Sequence, residues 1–460
     1  MFGRIRKLHL VGIGGEGVSG IAEVLLNMGY EVSGSDIRTT AVTRRLEKLG
    51  GRIAEGHAAE NLGRAQVVVV SSAISAENPE VMEARRKGIP VIPRAEMLAE
   101  LMRIKFGVAV GGAHGKTTTT WMISQVLAEG GLDPTIVVGG KLKGLDANAK
   151  LGGGEYLVAE ADESDGSFLK LSPSIAVVTT VDEEHLDHYG GLEEIQDTFV
   201  EFLNKVPFYG TGVVCLDEEN IQSLIPKLEK RILTYGLSAQ ADYVASDVRR
   251  EGLRTAMTVS DRGRILGALT LQMPGIYNVY NALAAVAVGC ELEIDFESIR
   301  AALEGFRGIA RRFEIKGEAN GVLVVDDYAH HPTEIEVTLR AAREAWGRRI
   351  VAVFQPHRYS RTQALWKQFG RCFYEADELL VMPIYPAAEG PIAGVSAKLI
   401  VDAVRGHGHR RVVSEASADG TLESLLGIIR PGDVVMTLGA GDVWKIGERL
   451  LEATAGGEKP

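Results

Sequence analysis

The chain has 460 residues, a formal net charge of −11, 45% apolar and 24% charged residues. That length exceeds one ordinary core and points to two or three domains, with the composition of a soluble globular protein rather than a disordered or fibrous one. The acidic balance excludes a general nucleic-acid or anionic-membrane partner, because both demand a basic face.

Cys215, Cys290 and Cys372 are too few and too far apart for a disulfide framework or a zinc site, and fit a reducing compartment. No run approaches the roughly 18 apolar residues of a membrane span. The first apolar run breaks at Gly12, too early for a signal segment. The expected location is the cytoplasm.

The elements fall into three α/β blocks. In the first, an apolar strand over residues 8–13 meets glycines and then a helical pattern over 18–28. A second strand ends at Gly34-Ser35-Asp36, a third is the valine run 67–70, and a helix over 95–102 closes the block. Continuous apolar strands alternating with helices predict a parallel sheet covered on both faces. The turn Gly12-Ile13-Gly14-Gly15-Glu16-Gly17, followed by Asp36, has the form of a site for a diphosphate-ribose group, of which NAD is one of several.

The second block opens with a strand at 107–110, the loop Gly112-Ala113-His114-Gly115-Lys116-Thr117-Thr118, and a helix from 117. Phosphate oxygens need several donors in a small volume. Glycines let backbone N–H groups approach, the helix start adds partial positive charge, and Lys116 adds a full one. Thr117 or Thr118 can offer a hydroxyl to a phosphate-bound magnesium. The common P-loop has four residues between its glycines; this loop is shorter.

A strand at 156–159 then runs into Glu160-Ala161-Asp162-Glu163-Ser164-Asp165. Carboxylates so close repel unless a cation offsets them, and magnesium on nucleotide phosphates is the natural candidate. The next strand, 176–179, leads to Asp182-Glu183-Glu184-His185, whose histidine suits a second metal contact. Residues 242–273 alternate apolar and polar about Asp261-Arg262-Gly263, predicting an antiparallel hairpin, and a helix over 278–288 follows.

The third block has strands at 322–325, 350–354, 379–382 and 434–438. Asp326-Asp327-Tyr328-Ala329-His330-His331 ends the first, and Gln355-Pro356-His357-Arg358-Tyr359-Ser360-Arg361 ends the second, taken as its neighbour. Ligands gather at such carboxyl ends. Arg358 and Arg361 suit a carboxylate or phosphate, and Asp327 suits ribose hydroxyls.

Taken in order, these motifs resemble the Mur ligases of peptidoglycan synthesis over nearly the whole chain. The matches also include Ser33-Gly34-Ser35-Asp36, His185-Leu186-Asp187-His188-Tyr189, Asn278 to Ala285, Arg311-Arg312-Phe313-Glu314 and Leu438-Gly439-Ala440-Gly441-Asp442. The resemblance implies a Rossmann-like N-terminal UDP-substrate domain (1–105), a central P-loop ATPase-type α/β domain (106–308) and a C-terminal Rossmann-like domain (309–460) that closes onto the second.

It further implies an ATP- and Mg2+-dependent ligase joining the carboxylate of UDP-N-acetylmuramate to L-alanine through an acyl phosphate. No nucleic-acid or membrane partner is implied, and a monomer or homodimer is expected. By resemblance, Gly14, Gly15, Glu16, Gly17, Ser35, Asp36 and Ser71 hold the UDP substrate, without NAD. Gly112, Ala113, His114, Gly115, Lys116, Thr117, Thr118, Asn278, Asn281, Arg312 and Asp327 hold ATP, with Thr117, Glu160 and His185 on the metal. Tyr328, His330, Arg358 and Arg361 receive the amino acid, and Lys116, His330 and Arg312 are the catalytic set.

Three positions depart from the family pattern: Ala113 where threonine is usual, Thr180 where asparagine is usual, and Tyr277 where histidine is common. Recycling ligases of the same family, which add a whole peptide, carry an insertion after the acidic cluster. Here Phe168-Leu169-Lys170-Leu171-Ser172-Pro173 runs straight on. An NAD-dependent dehydrogenase would leave Lys116 and the acidic cluster without a use, and a UDP-sugar-binding module predicts no ATP turnover.

Overall fold

The computed structural model describes residues 5–71, 73–138, 149–184, 188–387 and 389–455. Each of the three blocks builds its own sheet. In the first, the strands run in the order Arg52–Glu55, Glu31–Asp36, Lys7–Val11, Val67–Val70, Val91–Pro93, all parallel. The order reverses beside Lys7–Val11, and the crevice beyond the strand ends there is where an open α/β sheet binds ligand. Helix Glu16–Asn27 starts at that point. Its Val18, Ile21, Ala22 and Leu25, at helical spacing, are buried with Leu8, Leu10 and Val11 of the strand, which fixes the helix start over the sheet.

Among the described residues the second sheet has ten strands. Phe106–Gly111 lies between Ile175–Val178 and Tyr156–Glu160, parallel to both, so the three loops that follow these strands emerge side by side. The predicted hairpin is present: Arg254–Asp261 and Arg264–Leu271 are neighbours joined by Arg262 (φ 43°) and Gly263 (φ 81°). Two left-handed residues are what a tight hairpin turn of the I′ type requires.

The third sheet runs Glu314–Ala319, Val322–Asp327, Val434–Leu438, Ile350–Phe354, Glu378–Val381, Val412–Ser414. It is parallel apart from its antiparallel first strand. Alternate residues feed two cores, Val325, Ile350, Ala352 and Phe354 on one face, Val324, Val351 and Val353 on the other. One expectation is corrected here. The strands ending at Asp327 and Phe354 are not neighbours; Val434–Leu438 pairs with both and brings the loop at Gly439 between them.

Two compact units divide the chain otherwise than the three blocks do. One comprises Met1–Asp247, Met257–Leu269 and Tyr280–Phe306, the other Val248–Ala256, Thr270–Val279 and Arg307–Pro460. The far ends of the hairpin belong with the second unit because Leu253 and Tyr277 pack on its core and Arg250 pairs with Glu344. Among the described residues no helix is long and apolar enough to cross a membrane.

Candidate active site

Strand Phe106–Gly111 delivers the chain into the glycine loop, and helix Lys116–Glu129 takes it away. Gly112 (φ 125°) and Gly115 (φ 81°) are required as glycines: a Cβ would sit 2.2 Å from Thr179 Oγ1 and 2.6 Å from Asn281 Oδ1, respectively. Lys116 Nζ is folded back over its own loop, donating to Gly112 O (2.6 Å), Ala113 O (3.3 Å) and Glu163 Oε1 (2.6 Å). Burial alone would lower its pKa, but the charges of Glu163, Glu184 and Asp162 outweigh it and hold the ammonium above its usual range. The cation is permanent.

The two threonines after Ile175–Val178 brace this loop. Thr179 Oγ1 donates to His114 O at 2.5 Å. Thr180 accepts the Ala113 N–H on its carbonyl (2.9 Å) and the His114 N–H on its hydroxyl (2.9 Å). The amides of Ala113 and His114 thus hold the loop to the sheet. A helix leaves its first N–H groups without intrahelical partners, so those opening Lys116–Glu129 are open to an anion. Thr117 is partly exposed and Thr118 buried, so of the two hydroxyls Thr117 is the one presented. Asn281 accepts from Thr119 Oγ1 (3.1 Å) beside Gly115, while Asn278 donates to Pro274 O (2.7 Å).

The acidic loop is partly neutralised by the protein itself. Glu163 is buried against Lys116, its carbonyl receives the Tyr189 hydroxyl (2.5 Å), and Asp162 pairs with Arg94 at 3.1 Å. Burial raises the Asp162 pKa, yet Lys116, Ser164 and Arg94 together bring it below the usual carboxylate range. Glu160 ends its strand partly exposed. Glu160 and the Thr117 hydroxyl are hard oxygen donors, the kind that suits magnesium, so the residues present fit that ion. His185 and the Glu16 side chain lie outside the described residues.

In the first block, Gly14 N donates to Asp36 Oδ2 at 2.8 Å, so Asp36 shapes the glycine turn. Ser71 lies beside Gly12. Ser35, also expected at the UDP substrate, is fully buried, donating to Glu80 Oε2 (2.6 Å) and contacting His57 Nδ1 (2.9 Å). Glu80 is itself buried and also takes Asn61 Nδ2 (2.6 Å) and His9 Nε2 (3.3 Å). Burial alone would raise its pKa; these donors hold it down to about 2. Arg94, whose guanidinium lies against Gly17, had no sequence signal beyond being one arginine among many.

The C-terminal unit assembles its own constellation. Arg311 is committed to Asp326 (3.0 Å) and to the carbonyls of Gly439 (2.6 Å) and Gly441 (3.1 Å); it (5.0 Å) and Arg312 (5.1 Å) both lie over the Tyr328 ring, with Arg312 3.7 Å from Glu334. Asp327 accepts Phe313 N and Ala329 N, both at 2.7 Å, and works first as a clamp on two loops. Burial pushes its carboxyl up to about 6 against the pull of Arg312 and those donors.

His330 Nδ1 is 3.0 Å from Tyr328 O. A carbonyl only accepts, so Nδ1 carries the proton and Nε2 is the basic atom of the neutral ring. His357, passed over in the sequence although it stands in the Gln355–Arg361 motif, lies 5.8 Å from the His330 ring and stacks on Tyr385. Its Nδ1 faces Arg361 Nη1 at 3.5 Å. Burial and the surrounding His330, Arg361, Arg358 and Arg311 push it down to about 3, so it is neutral. Arg358 has φ 67° and Glu389 Oε1 4.0 Å from its Nε. Arg311, Phe313 and Arg358 all sit at positive φ around this one site, where backbone strain commonly accompanies function.

Comparison with known proteins agrees along the length of the chain. Residues 7–106 match the Mur ligase family catalytic domain, 110–289 the Mur ligase middle domain, and 311–441 the Mur ligase glutamate ligase domain. The UDP-N-acetylmuramate–L-alanine ligase of Syntrophotalea carbinolica is 60% identical over 98% of this chain and 99% of its own. That of Geotalea daltonii is 57% identical over 98% and 99%. The crystal structure of the UDP-N-acetylmuramate-alanine ligase from Thermotoga maritima superposes with a TM-score of 0.81 at 30% identity, covering 98% of this chain and all of that one. With matches running from residue 7 to residue 441, the chain belongs to the Mur ligase family.

Proposed function

We propose that this enzyme joins L-alanine to the lactyl carboxylate of UDP-N-acetylmuramate, converting ATP to ADP and phosphate, as a step in making the peptidoglycan precursor. The observation that carries this is Lys116, a permanently charged ammonium fixed over a glycine loop at a helix start, in a chain 60% identical to a relative of that name. Residues 1–105 are assigned to the UDP substrate, 106–308 to ATP and 309–460 to the amino acid.

The carboxylate attacks the γ-phosphorus of ATP, the bond to the β-phosphate oxygen breaks, and ADP leaves an acyl phosphate behind. Two anions must approach, so the work of the chain is neutralisation and placement. Lys116 and the helix amides hold the phosphates, and Arg312 is assigned to the charge on the transferred group. Magnesium, with Thr117, Glu160 and His185 as its assigned ligands, supplies further charge when bound. The amine of L-alanine then attacks the acyl carbon, and phosphate leaves.

That amine must first lose its proton. Nε2 of His330 is the basic atom at hand, while His357, pushed down to about 3, is too weak a base to take the proton instead. Arg358 and Arg361 are assigned to the alanine carboxylate, with Tyr328 beside them. The test is ADP release with UDP-N-acetylmuramate, with and without L-alanine, against a tripeptide acceptor. Alanine-dependent release supports the assignment; release with tripeptide alone would transfer it to peptide recycling.

A further inference from the structure

We propose that Arg94 is a positioning residue that ties the turn for the UDP substrate to the acidic loop beside Lys116. The inference rests on the function proposed above and adds a coupling between two of its substrate sites. Arg94 opens helix Arg94–Met102, and burial of Met97, Leu98, Leu101 and Met102 anchors its backbone. Its guanidinium lies against Gly17, where a Cβ would fall 2.4 Å from Nη1 and 2.9 Å from Cζ. Gly17 is the second residue of helix Glu16–Asn27, and with no Cβ it lets the arginine lie where it does; a larger residue there would displace the guanidinium.

The same guanidinium reaches the other way. Nη2 donates to Asp162 Oδ2 at 3.1 Å, and Asp162 is held in turn by Ser164 N at 3.2 Å. The next residue, Glu163, grips Lys116 at 2.6 Å. A continuous chain of contacts therefore runs from the glycine turn through Arg94 and the acidic loop to the lysine. Lys170 and Glu96, 3.5 Å apart, brace the same two elements from outside. A planar guanidinium can lie on a backbone with one face and fork to a carboxylate with an edge, which an ammonium cannot do.

The consequence is that a diphosphate seated at the turn and the groups that handle the γ-phosphate share one chain of contacts, so loss of Arg94 affects both binding and chemistry. The test is steady-state ADP release by the full chain and its Arg94→Gln, Arg94→Lys, Asp162→Asn and Arg94→Gln/Asp162→Asn variants, with UDP-N-acetylmuramate, L-alanine and ATP. For Arg94→Gln the expected result is a KM for the UDP substrate raised about tenfold and a kcat lowered about tenfold, with KM for ATP within about twofold. Arg94→Lys should recover part of the KM but not the kcat. The double variant should be no worse than the poorer single one, since both cut one link.

An Arg94→Gln enzyme that loses only melting temperature, with kcat and both KM values unchanged, would overturn the coupling, as would an additive double variant. If the unaltered chain releases no ADP with these substrates, the ligase assignment itself fails, which is a separate result.

Discussion

Glu163 Oε1 accepts from Lys116 Nζ at 2.6 Å, a contact between residues 47 apart in sequence and both largely removed from solvent. The pair holds the lysine folded back over its loop and balances its charge where it is partly removed from solvent. Replacing Lys116 with Met should lower ADP release by about a thousandfold, since it removes a fixed charge from the phosphate site. It should also cost about 3 kcal/mol of stability, because Glu163 is left buried without its partner. The double variant Lys116→Met/Glu163→Gln should regain most of the melting temperature and none of the activity. Full ADP release by Lys116→Met would sink the assignment of the loop.

The glycine loop was legible in the sequence because its signal is local: strand, Gly-Lys-Thr and helix follow one another within a few residues. The hairpin was legible for the same reason, a two-residue turn between alternating strands. What escaped was decided by partners far along the chain. Arg94 meets Asp162 across 68 residues, and Glu80 meets His9 across 71. A motif names sequence neighbours without saying which way they face, and the burial of Ser35 against Glu80 was hidden for that reason. The division into compact units was equally hidden, since Leu253 and Tyr277 join the C-terminal core by packing that no periodicity announces.

Thr180 departs from the family pattern, yet its hydroxyl is the acceptor for His114 N at 2.9 Å. Thr180→Val removes that acceptor and leaves a loop amide unpaired, at a cost of about 1–3 kcal/mol shared between folding and loop geometry. KM for ATP should rise several-fold while KM for L-alanine stays put, and Thr180→Ser should restore the original value. Equal ATP affinity in Thr180→Val, read by nucleotide titration, would show that the brace is dispensable.

Asp327 carries a pKa raised from 3.8 to about 6 by burial. If its ionised form serves the ribose, kcat/KM for ATP should fall about tenfold per pH unit below that value. Asp327→Asn should be slower at neutral pH and flat across the same range. Linkage has the opposite sign. A raised carboxyl pKa favours the folded state below pH 3.8, and that contribution disappears as pH rises through about 6. Acid-limb profiles of the two enzymes that coincide in shape would remove Asp327 from the ATP site.

Glu80 makes the complementary case. Its pKa is lowered from 4.5 to about 2 because Ser35, Asn61 and His9 all donate to a carboxylate with no access to water. A depressed pKa stabilises the fold above the unfolded value, and the contribution is lost as pH falls from 4.5 towards 2. Glu80→Gln should therefore cost on the order of 2 kcal/mol at pH 7 and progressively less in acid, so that the two unfolding curves converge near pH 2. Because Ser35 precedes Asp36, which holds the Gly14 amide at 2.8 Å, the same variant should loosen the glycine turn and raise KM for the UDP substrate more than KM for ATP. Urea unfolding from pH 7 down to pH 2.5 measures the first effect. A constant gap between the two proteins over that range would mean that the buried carboxylate is not ionised in the folded state, and that Ser35 is held by something other than its charge.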